Sequence, residues 1–82
     1  MTRRVSEIAR EIRRDWGAKL NYAARPYLDA MDAIEDIAGM YHADRATSVV
    51  RYFLANAGTW RGEAAKRVKA ELRQMCKQVD GH

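Results

Sequence analysis

The chain has 82 residues, which is enough for one domain with a modest core and too few for several domains. Hydrophobic residues make up 48% of the chain and charged residues 32%, with a single proline, and this composition excludes a disordered tail. The net charge of +4 mildly favours nucleic acid, acidic proteins or anionic lipid as partners without requiring any of them.

Signals for an oxidising compartment or a membrane are missing from the sequence. The lone Cys76 cannot form an internal disulfide. No run approaches the roughly 18 apolar residues of a membrane span, and the start of the chain has no apolar signal-peptide core. We therefore expect a cytoplasmic protein with no membrane partner.

The first predicted helix covers residues 3–16, where apolar residues recur at helical spacing and Gly17 ends the pattern. Its apolar face consists of Val5, Ile8, Ala9, Ile12 and Trp16. On the outer face, Glu7 with Arg10 and Glu11 with Arg14 have the spacing of weak ion pairs.

The second predicted helix covers residues 22–38, with Asn21 as a cap and Pro26 in the first turn. If the helix begins nearer Asn21, Pro26 instead kinks it. Its apolar side contains Tyr27, Ala30, Met31, Ile34, Ile37 and Ala38. Its outer face is wholly acidic and contains Asp29, Asp32, Glu35 and Asp36.

The third predicted helix covers residues 45–57, after Gly39 has ended the second helix and with Asp44 as the N-cap. Gly58 is then expected in a left-handed conformation, and Thr59 is expected to cap a fourth helix over residues 60–79. The apolar stripe of the third helix contains Ala46, Val49, Val50, Phe53, Leu54 and Ala57. These features predict a tight corner between the two helices.

The fourth predicted helix has the strongest period in the chain and should stop near Asp80 and Gly81. Its apolar side contains Trp60, Ala64, Val68, Leu72, Met75 and Val79, and its opposite side carries Lys66, Lys69, Arg73 and Lys77. Four helices with short connections predict an all-α, compact four-helix bundle in one domain over residues 1–82.

Two arrangements of charge remain open. The acidic face of the second helix either neutralises basic neighbours within the bundle or docks a basic partner. The basic first and fourth helices either lie apart or form a joint patch.

Residues Val50 to Arg67 invite comparison with a helix-turn-helix, because a basic stripe on the second helix of such a motif can face DNA. The match is poor. Leu54 stands where the motif prefers a small residue, and Arg67 stands at a position that is normally buried. A bundle corner explains these residues better.

The basic stripe, together with Arg61 and Trp60, has the composition of a surface that binds phosphate backbones without reading sequence. The ordinary alternative is a solvated helix face. The positions of Trp60 and Trp16 on the apolar sides predict core anchors rather than stacking platforms for bases.

No constellation for catalysis or metal binding is found, so we expect neither an enzyme nor a cofactor. The row of Asp29, Asp32 and Asp36 lacks convergent ligands from other helices and is expected to face solvent or a basic partner. His42 and His82 have no useful neighbours in sequence, and Cys76 is expected to be a buried or rim thiol.

Three segments carry a resemblance to a known group: IAREIRRDW, NYAARPYLDAM and SVVRYFLANAGTWRGEAAKRVKAEL. They resemble small uncharacterised helical proteins encoded by phages, prophages and conjugative elements of actinobacteria and other Gram-positive bacteria. The run from Tyr52 to Glu63 is the most specific part. The resemblance implies a bacterial host and no mechanism.

The function expected from these observations is non-enzymatic binding of a host or phage protein. The candidate contact residues are Arg61, Lys66, Lys69, Arg73 and Lys77 on one surface and Asp29, Asp32 and Asp36 on another. The alternative is a DNA-binding regulator that uses the basic face of the last helix. A homodimer is also expected, because Met40, Tyr41 and Tyr52 leave apolar area outside a small core.

Overall fold

The computed structural model describes residues 3–81, and His82 lies outside them. The chain is mostly helical. Its elements are helix α1 (Val5–Trp16), helix α2 (Arg25–Met31), strands β1 (Met40–Tyr41) and β2 (Asp44–Arg45), and helices α3 (Ala46–Ala55) and α4 (Glu63–Asp80). Two short 3₁₀ turns, Gly17–Lys19 and Tyr22–Ala24, connect α1 to α2. Within residues 3–81, no helix combines the length and apolar character that crossing a membrane requires.

The buried side chains form one cluster to which every helix contributes. Within this cluster, the rings of Trp16 and Trp60 stack with centroids 5.7 Å apart, and Phe53 meets Trp16 edge-on at 6.2 Å. The indole N–H of Trp60 donates to Asp15 at 2.8 Å, so this buried polar group is satisfied. The prediction that both tryptophans are core anchors is confirmed.

Helix α1 follows its predicted apolar face, since Val5, Ile8, Ala9, Ile12 and Trp16 are all buried. It runs antiparallel to α4, because Arg3 contacts Glu71 while Asp15 contacts Trp60 at the other end. The expected ion pairs within the helix do not form. Glu11 pairs with Arg3 and Arg67, and Glu7 accepts from the backbone N–H of Arg4 at 3.2 Å.

Helix α2 ends at Met31, so the predicted extension to residue 38 is wrong. Ile34 and Ile37 are buried as predicted, but from a turn-rich segment rather than from a helix face. The Ile34 carbonyl accepts from the Ser6 N–H at 2.9 Å, and the Asp36 carboxylate accepts from the Ala38 N–H at 2.9 Å. These bonds replace the helical ones that the segment would otherwise make.

The start of α2 agrees better with the sequence. Pro26 lies in the first turn of the helix, and the Asn21 side chain accepts from the Ala23 N–H at 3.1 Å, capping the preceding 3₁₀ turn.

A two-stranded antiparallel hairpin, which the sequence did not predict, precedes α3, with Met40 paired to Arg45 and Tyr41 to Asp44. His42 turns the hairpin in a left-handed conformation, with φ of 56°. Asp44 does not cap α3, because the helix begins at Ala46 and Arg45 occupies the N-cap position.

The connection from α3 to α4 is longer than the predicted corner. Helix α3 ends at Ala55 and α4 begins only at Glu63, so residues 56–62 lie between them. Gly58 does not adopt a left-handed conformation, and neither does Gly39. Thr59 does not cap α4, because Gly62 holds the N-cap position with φ of 111°, which favours glycine.

The longer connection has a structural reason, which is the burial of Trp60. Residues Ala57 to Trp60 form a turn in which the Trp60 N–H donates to the Ala57 carbonyl at 3.0 Å. This turn directs the indole into the core from outside the helix. At its other end α4 stops as predicted, with Gly81 in the left-handed conformation at φ of 75°.

Candidate functional site

The basic flank of α4 consists of Arg61, Lys66, Lys69, Arg73 and Lys77, as defined from the sequence. Lys69 is half-buried and the other four side chains are exposed. The four that belong to α4 follow one side of the helix, next to the buried face of Ala65, Val68 and Leu72, and Arg61 lies in the connection just before the helix. Within residues 3–81, none of the five forms a salt bridge with an acid.

Four of these cations surround one cleft at the beginning of α4. The cleft has a volume of about 310 Å³ and is lined by Trp60, Arg61, Gly62, Ala65, Lys66, Lys69 and Arg73. Lys77 lies further along the helix, outside the cleft. The structure therefore brings together most of the basic flank around one concave surface.

Lys69 is fixed at the edge of the core. Its ammonium donates to the Trp60 carbonyl at 2.6 Å and lies 5.8 Å from the centroid of the Trp60 ring. Burial, followed by the charges of Arg73 and Arg61, lowers the pKa of Lys69. A lysine in this position faces positive neighbours without a compensating carboxylate.

The beginning of α4 adds to this positive character. In the part of the chain that the structure describes, no side chain caps the helix N-terminus. The N–H groups of the first turn therefore have no side-chain partner, and the carboxylate of Glu63 in the same turn offsets part of their positive charge.

The opposite flank of α4 is neutralised by α1. Arg67 pairs with Glu11, and Arg3 bridges Glu11 at 2.8 Å and Glu71 at 2.7 Å. The hydrogen bond from Arg67 is the main cause of the lowered pKa of Glu11. The basic helices one and four therefore meet, but through an ion-pair network in which acids take part.

Beside this network, a groove of about 480 Å³ also carries the exposed side chains of Arg10 and Arg14. Because Glu7 and Glu11 line the same groove, its positive charge is partly compensated.

Two acidic residues at the second helix, Asp29 and Asp32, contact one basic residue of α1. Arg13 pairs with Asp29 and Asp32, each at 2.5 Å, and these hydrogen bonds, Asp32 first, raise the pKa of Arg13. Asp36 lies beyond the end of α2 and caps Ala38. The sequence left open whether the acidic face neutralises basic neighbours or docks a basic partner. The contacts of Asp29 and Asp32 with Arg13 support neutralisation within the molecule.

Sequence reasoning missed two features of the surface. The first is Arg13, which was not identified as a partner of the acidic face although it pairs with Asp29 and Asp32. The second feature is a pair of stacked tyrosines, Tyr27 and Tyr52, whose ring centroids are 5.5 Å apart.

No known protein family, curated protein or solved structure matches this chain.

Proposed function

We propose that this chain is a non-enzymatic interaction module, built as a four-helix bundle, that binds an acidic surface of a host or phage protein through the basic flank. The setting proposed from the sequence resemblance is the cytoplasm of a bacterial host that carries a phage or mobile element.

One observation carries the proposal: the accessible charge is divided unevenly. Carboxylates on α1, α2 and α4 are engaged by Arg3, Arg13 and Arg67, whereas the basic flank has no acidic partner within residues 3–81. Charges that are already paired gain little from a new partner, while unpaired ones steer and orient it. The acidic row Asp29, Asp32 and Asp36 is therefore the weaker of the two candidate surfaces.

The exposed aromatic and apolar side chains favour a protein as the partner. Tyr52 is 57% exposed and Met40 is 60% exposed, and tyrosine and methionine are enriched at protein interfaces. These side chains also support the expected homodimer, which light scattering of the purified protein would detect as twice the mass of the chain.

The proposal is tested by an affinity pulldown from host lysate with two matched double variants. Arg61→Glu with Arg73→Glu changes the basic flank, and Arg10→Glu with Arg14→Glu makes the same charge change on α1. We expect the flank variant to lose the captured protein and the α1 variant to keep it. Equal loss with both variants, or capture of nothing specific by the unmodified chain, would refute the proposed docking.

A second candidate function is a DNA-binding regulator, and the linear order of the basic flank favours it. Lys66, Lys69, Arg73 and Lys77 follow one side of α4 over about 16 Å of helix length. A sequence-independent contact of this kind weakens steeply with salt. Anisotropy of a labelled DNA duplex at about 50 and 200 mM salt tests it. Absence of binding at the lower salt concentration eliminates this candidate.

A further inference from the structure

The cleft at the beginning of α4 differs from the neighbouring grooves in its charge. Each of four other surface grooves is lined by at least one carboxylate, from Glu7 and Glu11, Asp15, Glu35 and Asp36, or Asp29. The cleft of Arg61, Lys66, Lys69 and Arg73 has none. Four cationic side chains line a cleft of about 310 Å³ that has no carboxylate in its lining. Their mutual repulsion is therefore not balanced by an anion within the cleft.

The cations of the cleft are suited to an oxyanion with several acceptor atoms. The Arg61 and Arg73 guanidinium groups present planar forks that match the oxygens of a phosphate group. The Lys69 ammonium has three donors, of which the Trp60 carbonyl accepts one. This bond fixes Lys69 in the wall of the cleft and leaves donors for a ligand.

We propose that the cleft formed by Arg61, Lys66, Lys69 and Arg73 is a binding site for a phosphate dianion, either free phosphate or a phosphomonoester. A dianion balances the cluster better than a singly charged diester or carboxylate does. Burial is the main cause of the lowered pKa of Lys69, and the charges of Arg73 and Arg61 come second; an anion bound between these charges would offset their repulsion. The site goes beyond the proposed function, since a small dianion can bind whether or not the flank docks a protein.

The test is a titration of the full chain with inorganic phosphate, followed by amide NMR at constant ionic strength. The pH is held at about 7.5, where phosphate groups are mostly dianionic. We expect saturable shifts confined to residues 60–66 and 69–73. Dimethyl phosphate, which mimics a nucleic-acid backbone, should bind at least about tenfold more weakly than inorganic phosphate. Equal binding of the two probes, or shifts no larger than those from added chloride, would overturn the proposal.

Matched variants separate the site from the general positive field. Lys66→Gln and Arg73→Gln should each weaken phosphate binding by about tenfold. Lys77→Gln removes the same charge from the same flank outside the cleft and should change affinity less than about twofold. Lys69→Met should abolish phosphate binding. If this variant does not fold, Lys66→Gln and Arg73→Gln still test the site. An equal effect of Lys77→Gln would show a diffuse field and no site.

A final arm distinguishes the two sources of the dianion. Binding of both inorganic phosphate and O-phosphoserine assigns the cleft to phosphomonoesters, and binding of inorganic phosphate alone assigns it to the free ion. Failure of both probes refutes the phosphate site but leaves the pulldown result standing. The two proposals therefore fail independently.

Discussion

Arg67 and Arg73 lie on the same helix, yet their surroundings differ completely. Arg67, on the flank that faces α1, pairs with Glu11, whereas Arg73, on the basic flank, lines a cleft without a carboxylate. The difference comes from α1, which carries Glu11 to one side of α4 only. A cation's role here depends on which helix packs beside it, so one flank contributes to the fold and the other is available to a ligand.

The largest expected effect tests the residue that supports the basic flank. Trp60→Ala should lower the free energy of unfolding by about 4 kcal/mol, because it removes a large buried ring from contact with Trp16 and Phe53. Urea unfolding measures the change. Trp60→Phe is the control, since it retains a ring and loses the hydrogen bond to Asp15, and its cost should be clearly smaller. A loss below about 1 kcal/mol for Trp60→Ala would contradict this account of the core.

The next effect tests the paired flank. Glu11→Gln should lower the free energy of unfolding by about 2 kcal/mol, because charge-assisted hydrogen bonds to Arg3 and Arg67 are weakened in a partly buried site. Glu63→Gln, in the exposed first turn of α4, should cost about 0.5 kcal/mol or less. Chemical denaturation of both variants makes the comparison, and equal losses would remove the distinction between the flanks.

The two flanks should also respond at opposite ends of the pH scale. The pKa of Glu11 is lowered in the folded chain, so its contribution to stability is present above the unfolded value of about 4.3 and is lost as pH falls through the folded pKa. The pKa of Lys69 is also lowered, so the unfolded chain holds its proton more firmly. Stability from this group should therefore rise as pH increases from the folded pKa of Lys69 towards about 10.4.

Stability curves of the unmodified chain, Glu11→Gln and Lys69→Met across pH separate these contributions. Glu11→Gln should reduce the loss of stability at acid pH, and Lys69→Met should remove the gain in stability expected towards alkaline pH. An acid limb that is unchanged in Glu11→Gln would show that other carboxylates determine it.

The smallest effect is expected for exposed members of the basic flank. Lys66→Ala and Lys77→Ala should change the free energy of unfolding by no more than about 0.5 kcal/mol, because both side chains are exposed and without acidic partners among the described residues. Thermal unfolding measures both. A loss comparable to that of Glu11→Gln would mean that this flank also stabilises the fold.

Periodicity located the helices where each has a long apolar face. Val5 to Trp16 and Val68 to Met75 were assigned correctly, since a helix buries such residues on one side. The same reasoning extended α2 over Ile34 and Ile37, because residues three apart suit a helix face and a buried turn alike. The deciding contact, from Ser6 to the Ile34 carbonyl, is long-range and has no local signal.

Short elements and interhelical contacts escaped prediction for a related reason. Strands of two residues, such as Met40–Tyr41, are too brief to show alternation. The basic flank was visible as a stripe, but the convergence of Arg61 with Lys69 depends on the glycine conformation at Gly62 and on the burial of Trp60 from a loop. Likewise, the partners of Glu11 lie on α4 and at the start of the chain, and no spacing within α1 indicates them.

The antiparallel arrangement of α1 and α4 determines where a label or linker attached to a chain end lies relative to the cleft. Arg3 and Arg4 line the same groove as Gln78 and Val79, so both ends of the described chain lie side by side. Helix α4 has 18 residues, which places its Gly62 end about 27 Å away. A bead linker or fluorophore attached at either end of the described chain therefore lies at the end of α4 opposite to Trp60, Arg61 and Gly62.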